Sequence, residues 1–242
     1  MQLRIATWNV EYAAGAERNE RRLQLLLRAD ADLHVLTETH DDLILPGYTP
    51  VSTLQRPGRN ARAGSRWTTI WSRLPVVRQV QTVDRLRTCA VELEDHVLIF
   101  GTVLPWHSDP GPGGSQAPNW TEFRRIVPEQ GAEWLRLREQ YPSHDIVVAG
   151  DFNQSLASRH YYGSRELRRL LEHQCAAAGL EVLTGLADER VPLSHPVIDH
   201  IAVSPGAGRS VSPGEVHGWE GSWDGAGRLS DHSGVVVSVD IA

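Results

Sequence analysis

The sequence predicts an α/β protein in which two β-sheets pack face to face and helices cover their outer faces. Three observations carry that expectation: a strand-helix-strand unit opens the chain, short strands fill its middle, and strand-helix alternation then returns.

Leu3 to Val10 reads as a buried strand, and Glu17 to Ala29 as a helix with Leu23, Leu26 and Leu27 at helical spacing. Leu33 to Thr37 is a second apolar strand, and a unit of this kind implies parallel pairing. From Tyr48 to Leu104 successive strands follow, at Trp67 to Ser72, Val76 to Val83, Thr88 to Leu93 and Val97 to Leu104, punctuated by Leu74-Pro75 and Glu94-Asp95. They read as an antiparallel meander. Glycine and proline make Asp109 to Pro118 a loop. Thr121 to Tyr141 is then helical, with a break or kink expected at Pro128 and a stop at Pro142. Ile146 to Ala149 is a buried strand. Arg165 to Ala178 is a helix capped by Ser164, with Leu167, Leu170, Leu171 and Cys175 inward and Gly179 past its end. Strands near Ile198 to Val203 and Val235 to Ile241 complete the pattern, with a loop from Gly218 to Gly227 between them.

Composition narrows the class. At 242 residues the chain can bury a core without disulfide staples, and it is read as one domain over residues 1–242. No apolar run reaches membrane-spanning length, and motif-bearing sequence begins too early to leave room for a leader. Cys89 and Cys175 are far apart in apolar surroundings and read as buried structural thiols, so a monomer in the reducing cytoplasm is expected. All 24 basic residues are arginine and the net charge is -6, which excludes a generally basic nucleic-acid binder but not a local basic cleft.

Five short motifs carry chemistry. In Trp8-Asn9-Val10-Glu11 a period of two puts Asn9 and Glu11 on one face, an amide and a carboxylate suited to a hard cation. Leu36-Thr37-Glu38-Thr39 ends the neighbouring strand and brings Glu38 close to Glu11. Two such carboxylates repel unless a proton or a cation lies between them. Taken alone, Glu38 reads more readily as a solvated strand end. Gly150-Asp151-Phe152-Asn153 follows a buried strand; Gly150 permits close approach of substrate to the backbone, Asp151 suits a base for water, and Asn153 suits a donor to a phosphoryl oxygen. Ile198-Asp199-His200 and Ser230-Asp231-His232 each place an acid beside a histidine, and Asp199 is expected to pair with His232 across the site.

In this order the motifs resemble the endonuclease/exonuclease/phosphatase superfamily, which includes deoxyribonuclease I and exonuclease III, and the resemblance spans Asn9 to His232. It implies a four-layer α/β sandwich of two mixed sheets flanked by helices. It also implies in-line phosphoester hydrolysis with magnesium, or manganese in its place, held chiefly by Glu38 with Asn9, Glu11 and Asp231 nearby. By the same resemblance Asp151 activates the water, Asn153 orients the phosphate, and His232, held by Asp199, stabilises negative charge. One departure stands out. The family usually carries a histidine or tyrosine where this chain has Val103, and valine can neither donate a proton nor bind an oxygen. His107, just downstream, is the candidate replacement.

For substrate, Arg56, Arg59, Arg62 and Arg66 lie in a glycine- and proline-containing stretch that suits a phosphate grip, although charge runs are ordinarily solvated. Trp106 is a candidate stacking platform for a base or sugar. Nucleic acid is the expected partner. A small or lipid-linked phosphate, and a catalytically silent phosphate-binding protein, are the alternatives.

Overall fold

The computed structural model describes residues 2–13, 15–57, 61–111, 118–185, 193–223 and 227–241. β1 (Gln2–Asn9), α1 (Ala16–Ala29) and β2 (Leu33–His40) form the opening unit, with β1 and β2 parallel and Asn9 opposite Thr37. β3 (Thr49–Ser52) and β4 (Ser65–Ser72) extend the same sheet. β5 (Val76–Val80), β6 (Thr88–Leu93) and β7 (Val97–Val103) begin the second sheet. It is completed, after α2 (Thr121–Gln140), by β8 (Asp145–Asp151), and, after α3 (Arg165–Ala177), by β9 (Glu181–Val182) and β10 (Asp199–Ser204). β11 (Val211–Trp219) and β14 (Gly234–Ile241) return to the first sheet, and β12 (Ser222–Trp223) and β13 (Gly227–Arg228) form a small ribbon between them. The orders are β11-β14-β1-β2-β4-β3 and β5-β6-β7-β8-β10-β9.

Alternation along the strands builds four layers. Leu3, Ile5, Leu33, Val35 and Ile70 of the first sheet meet Val91, Ile99, Val147, Ala149 and Ile201 of the second in the central core. On the outer face of the second sheet, Phe100, Ile146 and Val148 pack against Phe123, Trp134, Leu167 and Leu171 of α2 and α3. Trp8 and Leu36, on the outer face of the first, pack with Leu26 of α1. Each fully buried leucine of this kind contributes roughly 1.5–3 kcal/mol of burial free energy. Ser164 caps α3 by accepting the Leu167 N–H at 3.2 Å. This is the expected sandwich.

Three local expectations change. The meander splits between the sheets, because β4 already has β2 and β3 on its two sides and offers β5 no free edge. α2 runs unbroken through Pro128; the carbonyl deprived of its partner there belongs to the exposed Arg124. Gly150 is needed for packing within the protein: its φ is 138°, and a Cβ would lie 1.9 Å from the Thr102 carbonyl oxygen on the neighbouring strand β7. Among the described residues no helix is long and apolar enough to cross a membrane.

Candidate active site

Strand alternation decides which residues reach the site. Leu3 and Ile5 on β1, Val147 and Ala149 on β8, and Ile201 and Val203 on β10 face the gap between the sheets. Asn9, Asp151 and Asp199 continue these three rows to the same rim. Across the gap the Asn9 amide donates to Asp151 Oδ2 at 3.1 Å, while Asp151 Oδ1 accepts the Asn153 backbone N–H at 2.8 Å. The remaining partner arrives from the loop before β14. Ser230 Oγ donates to the Asn9 carbonyl at 2.6 Å, the His232 N–H donates to Ser230 Oγ at 3.0 Å, and Trp8 Nε1 donates to the His232 carbonyl at 2.9 Å. Held in this way, His232 Nδ1 lies 2.6 Å from Asp199 Oδ2, and Nε2 lies 3.9 Å from Asp151 Oδ2.

The electrostatics follow from burial and neighbours. Burial opposes charge on His232, but the carboxylates of Asp199 and Asp151 outweigh it and hold the imidazole above its usual range, hence cationic at neutral pH. Burial pushes the Asp151 carboxyl up, against the pull of His232. Glu38 is also raised, first by burial and further by Asp231, while Asn9, His232 and Arg56 pull it back.

Glu38, Asp151, Asn153, Asp199, Asp231, His232 and Trp106 share one cleft of about 720 Å³. The backbone in and beside it is strained: Tyr12, Glu38 and Asn153 of the lining, and Glu11 next to Tyr12, adopt φ of 54°, 51°, 51° and 48°, a left-handed region that L-residues seldom occupy. At Glu38 this turn interrupts the β2–β4 pairing.

Other predicted residues are placed elsewhere. β1 ends at Asn9, so alternation stops before Glu11, which turns to bind Arg228 at 2.6 Å and not toward Glu38. His200 points to the helix-covered face, bonded to Thr184 and the Gln154 carbonyl. Arg56 stacks on Tyr12 at 4.7 Å and Trp67 at 4.2 Å, within electrostatic reach of Glu38. Arg66 binds Asp41 and Arg62 binds Asp42, away from the cleft lining, and Arg59 lies outside the described residues. His107 is exposed with its ring edge against Trp120 at 5.4 Å, and it does not line the cleft. Val103 is buried directly opposite Asp151 in the β7–β8 register and offers no polar atom. Asn153 spends an amide N–H on the Leu104 carbonyl at 2.8 Å.

Sequence reading missed Tyr12, Tyr161, Tyr162 and Arg228, which also line the cleft. Only the Tyr161-Tyr162 pair, close after the Asp151 motif, offered a signal.

The donor chemistry fits a hard divalent cation. Glu38 and Asp231 stand in mutual electrostatic range, and the buried Asp199 Oδ1 has no partner among the described residues. Asp151, Asp199 and His232 also bring one ligand-type atom each within 4.8 Å of one another. His232 Nδ1 is already spent on Asp199, whereas Glu38 and Asp231 offer oxygen donors in the same cleft.

No curated protein matches the chain. Solved structures do share its fold. A variant of the 3' phosphatase NExo from Neisseria, bound to product DNA hairpin, is 17% identical over 98% of this chain and 99% of that one, with a TM-score of 0.70. D. rerio TDP2 complexed with single strand DNA product is 13% identical over 99% of each chain, with a TM-score of 0.62. An endonuclease/exonuclease/phosphatase from Beutenbergia cavernae is 19% identical over 100% of this chain and 72% of that one, with a TM-score of 0.60. At such identities the likeness speaks for the fold alone. The sequence adds the lineage: the Endonuclease/Exonuclease/phosphatase family model matches residues 6–232, and the chain belongs to that family.

Proposed function

We propose that the protein hydrolyses phosphodiesters of DNA or RNA, with magnesium or manganese as cofactor. The observation that carries this reading is the chain of polar contacts Asn9–Asp151–His232–Asp199, which joins both sheets beside the cleft. Asp151, whose basicity burial increases, takes the proton of the attacking water, with its carboxylate aimed by Asn9 and the Asn153 N–H. His232, kept cationic and oriented by Asp199, stabilises negative charge on the phosphoryl oxygens. Glu38 and Asp231, with Asn9 beside them, would hold the cation, which when bound would supply Lewis-acid stabilisation of negative charge. Glu11 contributes by fixing Arg228 at the cleft wall. Nucleic acid is favoured because two of the similar proteins were solved with DNA.

A second reading, hydrolysis of a small or lipid-linked ester, draws on the cleft's own charge. Its lining carries Glu38, Asp151, Asp199, Glu220 and Asp231 against Arg228 and His232, and of the described loop arginines only Arg56 comes near. The test is turnover of bis-p-nitrophenyl phosphate, single-stranded and duplex DNA, RNA and sphingomyelin with magnesium, manganese or EDTA. Metal-dependent cleavage of nucleic acid is expected, and Asp151→Asn should lower it by about 10²–10⁴-fold with unchanged melting temperature. Cleavage of small or lipid esters alone selects the second reading. Inactivity on every ester refutes both.

A further inference from the structure

Asp151, His232 and the Glu38–Asp231 pair supply a base, an anion-holding group and oxygen donors for a cation, and none of these side chains suits a neutral donor to the leaving group. β7, which runs beside the base, ends in Val103, and His107, from the loop that follows, does not line the cleft. A tyrosine nevertheless lines the same cleft. Tyr162 comes from the loop between β8 and α3 and lines the cleft with Asp151, Asn153, Asp231 and His232. Its ring is fixed edge-on against Trp120 at 5.4 Å, and its main chain is anchored by the Ser155 N–H at 3.0 Å. Its Oη accepts the backbone N–H of His107 at 3.2 Å, so the hydroxyl is docked on the segment that follows Val103.

We propose that Tyr162 is a catalytic residue that donates its hydroxyl proton to the leaving oxygen of the phosphoester, filling from another loop the role Val103 cannot take. This rests on the hydrolase reading above. Accepting one hydrogen bond from His107 leaves the phenolic proton to be directed elsewhere, and no described residue accepts it. Burial first, then the fields of Asp151 and Asp231, keep that proton on the oxygen at neutral pH, with the His107 N–H opposing. The other cleft tyrosines are committed differently: Tyr161 is exposed and stacked on His195 at 4.6 Å, and Tyr12 is held between Glu38 and Arg56. In the balanced step, the water oxygen bonds to phosphorus as its proton passes to Asp151. The ester bond breaks with its electron pair on the leaving oxygen, which takes the Tyr162 proton, and solvent reprotonates the phenolate.

The experiment compares wild type, Tyr162→Phe and His107→Ala on bis-p-nitrophenyl phosphate, whose leaving group needs little protonation, and on an oligonucleotide phosphodiester or alkyl phosphodiester, whose leaving group needs much. Phenylalanine retains the contact with Trp120, and thermal melting checks that the fold is intact. Tyr162→Phe is expected to lose about 10–100-fold on the poor leaving group and less than about 3-fold on the nitrophenyl ester. Equal losses on both, or no loss on either, overturns the assignment while leaving the hydrolase reading standing. A leaving-group-selective loss in His107→Ala with Tyr162→Phe unaffected returns the role to His107. Wild-type inactivity on every ester removes the reading on which the proposal rests, and the proposal with it.

Discussion

His34 on β2 is fully buried, and neither ring nitrogen has a hydrogen-bond partner among the described residues. The Tyr48 ring lies 5.2 Å away, and Arg73 and Asp30 are the charged groups in range. Burial, reinforced by Arg73 and opposed by Asp30, pushes the imidazole down to about 3. Between that value and the ordinary 6.5 the unfolded chain binds a proton that the folded one refuses. Stability contributed by the neutral ring is therefore complete above about pH 6.5 and is lost as pH falls toward about 3. By about pH 4 this single group costs on the order of 3 kcal/mol relative to about pH 7. His34→Phe should remove most of that slope in urea melts taken from about pH 7 to about pH 4; parallel losses in variant and wild type would sink the explanation. The same scale holds what was least legible in the sequence. Alternation identified Asn9, Asp151 and Asp199 because they continue regular strands, whereas Glu11 and Glu38 sit on left-handed backbone, where alternation no longer governs. Tyr162 was hidden for another reason: its partner His107 is fifty-five positions away, and the bond uses backbone that no motif records.

Elements that obey a strong local pattern were legible, and those that depend on their neighbours were not. β1, α1, β2, β8 and α3 lie close to their predicted spans because their apolar periodicity is set by burial on defined faces. β11 went unseen: it is an edge strand with Val216 its only buried residue, and its pairing shifts between Pro213 and Val216. The assignment of β4 and β5 to different sheets is a property of which edges are already occupied, and linear sequence does not state it. Gly150 shows how tightly neighbouring elements constrain one another. An added methyl would meet the β7 carbonyl at 1.9 Å on a backbone with φ of 138°. Gly150→Ala should therefore lower stability by about 2–4 kcal/mol and shift the strand that carries Asp151. Denaturant midpoints measure this, and a change below about 0.5 kcal/mol would show that β7 and β8 yield more easily than their contact suggests.

At the scale of the whole molecule, the site draws clustered carboxylates from both sheets, Glu38 from the first and Asp151 and Asp199 from the second, with Asp231 on the loop between. A divalent cation that relieves their repulsion binds the assembled sandwich and not the unfolded chain. At about ten times its dissociation constant it would stabilise the protein by about 1.4 kcal/mol, a rise of a few degrees in Tm. Scanning calorimetry with magnesium should show that rise and EDTA should reverse it, and Glu38→Gln should shrink it. An unchanged Tm with saturating magnesium would count against the assignment of Glu38.

The chain's route through the two sheets also sets a clock. Asn9 and Glu38 emerge early, Asp151 and Asp199 belong to the other sheet, and His232 comes into place only through a loop pinned to β1 and followed by β14, which hydrogen-bonds along β1's free side. During synthesis Asn9, Glu38, Asp151 and Asp199 are thus present before Asp231 and the imidazole beside it, and the strand that locks the loop in place is later still. A half-made chain carries the ingredients of the candidate site without its assembly, which is complete only when β14 pairs with β1.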